Sequence, residues 1–144
     1  MSQGATTPSR RALVVLQEVD QVLAGTRCDE TAECCHFAVT GKQPFLTEAE
    51  WQLVLDELAR QGRKVPAPRE DKVCAFLGED RRCTIYEARP LGCRTFYCHR
   101  VQGPRVQRRA WNDFLRRLEV ISGDPDANGR SITSWLNQAR RARR

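Results

Sequence analysis

The chain has 144 residues, 40% of them hydrophobic, with seven cysteines and a formal net charge of +6. That is most simply one domain with a modest core, and no apolar run approaches the 18 or more residues of a membrane-spanning helix. The charge is unevenly placed: residues 1–99 hold 13 Lys and Arg against 14 Asp and Glu, whereas residues 100–144 hold 11 Arg against 4 acids.

Residues 1–11 read as a flexible polar lead, with Ser9 as an N-cap. From Ala12 the apolar residues Leu13, Leu16, Val19 and Leu23 recur at helical spacing up to Gly25, which predicts a first helix of about three turns. The run Leu13 to Leu16 is too short for the apolar region of a secretory signal, and no small-residue cleavage site follows it. A cytoplasmic protein with reduced thiols is therefore expected. Residues 26–35 are too polar for a strand and read as a loop. Phe37 and Val39 alternate in a short extended segment. Thr47-Glu48-Ala49-Glu50 is a capping box, and Trp51, Val54, Leu55 and Leu58 continue it as a second helix that stops at Gly62.

Residues 63–72, with two prolines, form a loop. Phe76-Leu77 and Thr84-Ile85-Tyr86 flank a charged turn and predict a small hairpin whose arms open on Cys74 and Cys83. Pro104 suits a helix start. Val106, Ala110, Trp111, Phe114, Leu115, Leu118 and Ile121 follow at spacings of three and four up to Gly123, with Arg105, Arg108, Arg109, Arg116 and Arg117 on the other face. After a turn-rich break at residues 124–130, Ser131 caps a last helix that runs into the arginine cluster at 140–144. The expectation is a mainly α-helical protein with a small β-hairpin. Residues 12–123 would form a cysteine-rich metal-binding domain, and residues 124–144 a basic helix and tail.

The cysteines carry the chemistry. Cys28, Cys34 and Cys35 share the upstream loop; Cys74, Cys83, Cys93 and Cys98 fall within 25 residues. An odd number, with Cys34 and Cys35 adjacent, makes a disulfide framework awkward. Thiolates suit zinc or an iron–sulfur cluster, usually four to a site. Seven exceed one tetrahedral zinc, so the residues allow two sites, one cluster with spare thiols, or a second set completed by His36 or His99. Arg89 and Arg94 bracket Cys93 and could donate to its bound sulfur; the plainer reading pairs them with Glu87 or surface carboxylates. No phosphate loop, dinucleotide fingerprint or His-Glu-x-x-His motif appears, and both histidines adjoin cysteines that they could not readily serve as a base.

The residues 83–98 resemble the C-terminal motif of the YkgJ-type cysteine-cluster family, Cys-x-Ile-Tyr-x-x-Arg-Pro-x-x-Cys-Arg-x-Phe-x-Cys, throughout. Cys74-Ala75-Phe76-Leu77 fits the same pattern. The upstream stretch from Cys28 to Cys35 resembles that family's Cys-x-x-Cys-x-x-Cys-Cys motif, with Thr31 in place of the second cysteine. The resemblance implies zinc or iron–sulfur binding, with no assigned reaction. It leaves seven candidate ligands where the family pattern has eight. Two other classes stay open: an iron–sulfur or thiol-dependent redox enzyme, and a zinc-stabilised module whose Arg-rich C-terminal region binds nucleic acid or an acidic protein. A solvated arginine face is the simpler reading of that region, since the chain uses only three lysines anywhere.

Overall fold

The computed structural model describes residues 7–24, 35–37, 41–95, 106–123 and 129–142. Three helices make its core: α1 (Pro8–Val22), α2 (Glu48–Arg60) and α4 (Arg108–Ser122) pack on one another in all three pairs. A single helical turn, α3 (Leu91–Arg94), packs against α1. The last helix, α5 (Ile132–Ala142), follows a two-residue strand, β2 (Arg130–Ser131), that pairs antiparallel with β1 (Phe45–Leu46). The protein is thus mainly helical with one small antiparallel ladder.

Helix α1 starts four residues before the expected Ala12. Thr7, not Ser9, is the N-cap: its hydroxyl accepts the backbone N–H of Arg10, and Pro8 occupies the first turn. Proline suits that position because its missing N–H has no intrahelical partner there. Ser9 lies inside the helix instead and donates its hydroxyl to Asp56 on α2. The buried stripe is Ala12, Val15, Leu16 and Val19, while Val22 remains exposed. Gly25, the expected stop, lies outside the described residues.

Helix α2 begins as its capping box requires. Thr47 accepts from the N–H of Glu50, and the Glu50 carboxylate accepts the N–H of Thr47 at 2.9 Å. Helix α4 begins at Arg108; Pro104, the expected start, lies outside the described residues, and Gly123 closes it at φ 80° in the left-handed region. Ser131 caps α5, accepting from the N–H of Ser134 at 3.2 Å. Trp135 on α5 stacks on Trp51 of α2 with ring centroids 5.8 Å apart, and its indole N–H donates to the carbonyl of Leu46 at 2.8 Å. One contact therefore joins α5, α2 and β1.

The hairpin is present in a shorter form than expected. Leu77 and Cys83 face each other in an antiparallel bridge, flanked by hydrogen bonds from Gly78 N to Arg82 O and from Thr84 N to Phe76 O, each 2.8 Å. Gly78 permits the tight turn: a Cβ there would lie 2.9 Å from Asp80 Oδ1. After Thr84 the chain leaves the ladder, and Tyr86–Ala88 form a 3-10 turn where a strand was expected. The reason is burial: Ile85 and Ala88 are both drawn into the core at 2% exposure, which an alternating strand at that spacing cannot achieve.

Leu118 is fully buried among these helices, so Leu118→Ala should cost about 2–5 kcal/mol of stability. Val120, two residues on and 69% exposed, should tolerate alanine within about 0.5 kcal/mol. Urea unfolding of the two variants checks the contrast.

Candidate metal centre

Two backbone pairings set the positions of the described cysteines. Residues 35–37 pair antiparallel with residues 72–74: His36 bridges Val73, Phe37 N donates to Lys72 O at 2.9 Å, and Cys74 N donates to Cys35 O at 2.7 Å. The pairing is a single bridge between His36 and Val73, and it sets the Cys35 and Cys74 backbones side by side, joined by one hydrogen bond. Cys74 is buried, at 7% exposure, and Cys35 half-buried. This join brings Cys35 onto the downstream segment.

Cys83 is held by the second pairing, opposite Leu77 rather than opposite Cys74. Sequence reasoning put Cys74 and Cys83 at the heads of matching hairpin arms; the turn that runs from Cys74 O to Leu77 N at 3.0 Å separates Cys74 from the arm. Cys93 sits in α3, where its N–H donates to Pro90 O at 3.0 Å. Among the described residues no group of three or more His, Cys, Asp or Glu side chains is gathered as a set of metal donors. Cys28, Thr31, Cys34, Cys98 and His99 lie outside the described residues. The soft donors that are described fit a thiophilic ion in kind.

The turn that carries Cys93 is held from two sides by buried charge. From one side, Glu50 reaches past its own capping box: its second carboxylate oxygen accepts the N–H of Leu91 at 2.7 Å, while the first accepts both the N–H and the hydroxyl of Thr47. Glu50 is 1% exposed. Burial pushes its carboxyl above the usual range, against the pull of the Thr47 and Leu91 donors and the Arg94 charge. From the other side, the Arg94 guanidinium is buried and fans out to three acceptors. These are the Arg89 carbonyl at 2.7 Å, the Glu87 carbonyl at 2.6 Å and the Asp20 carboxylate on α1 at 2.5 Å. Arg89 lies over the Tyr86 ring, 3.8 Å from its centroid, and donates to the Tyr86 carbonyl at 2.9 Å. Glu50 and Asp20 were not identified as parts of this site from the sequence. The capping box was the available sign for Glu50; Asp20 gives none, being one polar residue on a helix.

The arginine-rich region is divided in its contacts. Arg117 pairs with Glu18 across α4 and α1, and Arg130 lies over the Trp135 ring. Arg108, Arg109, Arg116, Arg140 and Arg141 are exposed; Arg105, Arg143 and Arg144 lie outside the described residues. No helix among the described residues is long and apolar enough to cross a membrane.

The sequence family CxxCxxCC, described as a "putative zinc- or iron-chelating domain", matches residues 27–114. The chain belongs to that family. The match takes in all seven cysteines and ends in the middle of α4. Neither curated proteins nor solved structures give a match to this chain. The CxxCxxCC assignment agrees with the soft-ligand chemistry of the cysteines it covers.

Removing the Arg94 side chain strands two carbonyls that have no other described donor of this kind. Arg94→Ala should cost on the order of 3 kcal/mol, whereas Asp20→Ala, at a half-exposed carboxylate, should cost under about 1 kcal/mol. Denaturant titration of both variants separates the two contributions. For Glu50 the sign is opposite to that of a salt-bridged acid. Its raised folded value means that its stabilisation is complete below the unfolded value of 4.5 and is lost as pH rises through the folded one. The stability of the wild type relative to Glu50→Gln should therefore fall as pH rises from about 4.5 toward neutrality, a trend that paired unfolding curves at several pH values would show.

Proposed function

We propose that this CxxCxxCC chain holds zinc or an iron–sulfur cluster through cysteine thiolates, with Cys35 and Cys74 as a cross-strand pair of ligands. The backbone hydrogen bond from Cys74 to Cys35, beside the bridge of His36 and Val73, is the observation that carries the reading. Cys28, Cys34, Cys83, Cys93 and Cys98 supply the remaining donors, in one site or two. Bound metal would act here chiefly as a structural tie, because the described pairing of residues 35–37 with 72–74 is a single bridge. Arg94 and Glu50 serve the site through the backbone. They hold the turn on which Cys93 rides, so that its thiolate needs little reordering on binding. Arg89 stiffens the same turn through Tyr86.

Ligation by thiolates requires their deprotonation, so binding weakens as pH falls. Protein purified without oxygen should contain zinc or iron at one or more equivalents. A colourless protein identifies zinc, and a brown one whose visible absorbance bleaches with dithionite identifies a cluster. Cys35→Ser with Cys74→Ser should lower the metal content by at least half. Trace metal in the wild type would overturn the reading. Unchanged content in the double variant would overturn the assignment of this pair.

A further inference from the structure

A cavity of about 440 Å³ opens beside Cys93 on the side formed by β1 and α4. Its size lies within the range of small-molecule sites, and its lining is mostly apolar, as such sites are. Pro44 and Phe45 form one wall, with Leu91 beside them. The opposite wall is one face of α4, where Trp111, Leu115 and Glu119 follow at intervals of four and so line up along the helix. The Trp111 ring is held in place, since its indole N–H donates to the Thr95 hydroxyl at 2.9 Å. Phe45, at 62% exposure, stands at the opening.

Two acids also line it: Glu50, whose oxygens are taken by Thr47 and Leu91, and Glu119. Glu119 is half-buried, and it takes part in none of the ion pairs among the described residues, although Arg116 lies one turn away on the same helix and the chain carries 24 basic side chains. Glu18 and Glu57, by contrast, each have an arginine partner. A carboxylate at the end of an apolar, aromatic-walled cavity is complementary to one kind of ligand. We infer that this cavity binds a small organic cation, an ammonium group on an apolar body. The body would lie against Trp111 and Leu115 and the cationic head would reach Glu119. The ring face of Trp111 attracts the same positive charge, and a charged hydrogen bond to a carboxylate is about twice as strong as a neutral one. Lys42, the cavity's cation, is exposed, where water screens it. The net positive charge of the whole chain is likewise screened beyond about 8–10 Å at physiological salt, so the local carboxylate decides the sign of the ligand.

The inference does not depend on what Cys93 ligates, and its test reads binding without reference to metal. Three probes of one shape differ only in charge: phenethylammonium, 2-phenylethanol and 3-phenylpropionate. Each is titrated into the purified full chain while the indole N–H signals are followed by NMR. Trp111→Phe assigns the Trp111 signal, and Trp51 and Trp135, stacked on each other, serve as internal controls. The expected result is saturable movement of the Trp111 signal, with the cation bound about tenfold more tightly than the alcohol and the anion weakest. Glu119→Gln, at a partly exposed position that should fold normally, should remove that preference and leave the alcohol's affinity within about twofold. Three results would overturn the inference. They are no saturable binding of the cation below about 10 mM, equal or tighter binding of the alcohol or anion, and a cation preference that survives Glu119→Gln.

Discussion

The carboxylate of Glu50 joins parts of the structure that would otherwise be independent. It completes the N-terminus of α2 by accepting from Thr47, and with its other oxygen it accepts the first free N–H of α3. Two helix starts, at Glu48 and Leu91, thus share one buried acid. Helix N-termini leave N–H groups that must find acceptors when buried. An acid at this place is costly to bury, and its raised pKa records the cost. The cost is offset by three donors, and the result is a fixed path for the turn that bears Cys93.

Arg94 does the complementary work from the same turn. Its planar group, with donors in several directions, can bind two carbonyls and a carboxylate at once, which a lysine could not. Through Asp20 it ties the cysteine segment to α1, and through the Glu87 and Arg89 carbonyls it closes the loop upon itself. The turn that bears Cys93 is therefore built on a frame of buried charge and hydrogen bonds, with the apolar core of α1, α2 and α4 behind it. The cavity beside Cys93 opens where this frame meets α4, and Glu119 is the one acid there that the frame does not use.

Some elements were legible because their signals are local. The capping box at Thr47 needs only four residues to act, and α2 begins where it says. Gly123 ends α4 and Ser131 caps α5 for similarly local reasons. The start of α1 was placed too late because Ser9 and Thr7 are both competent caps; Pro8, which fits the first turn, should have decided between them. The hairpin was placed correctly, but its strands were drawn too long. Propensity favours Thr84, Ile85 and Tyr86 in a strand, and the burial of both Ile85 and Ala88 outweighed it.

The amino-acid sequence by itself determined the chemistry: seven thiols in two groups, with a motif long enough to place the chain among zinc- or iron-chelating domains. That follows because soft-ligand chemistry depends on residue type and short spacing. Only the tertiary structure decided which residues face each other. The Cys74 backbone pairs with that of Cys35, from 39 positions upstream; Arg94 turns to Asp20 on α1; Glu50 reaches Leu91. Each of these contacts spans a long stretch of chain. Their register is set by the packing of the helices between them, which no local pattern of residues encodes.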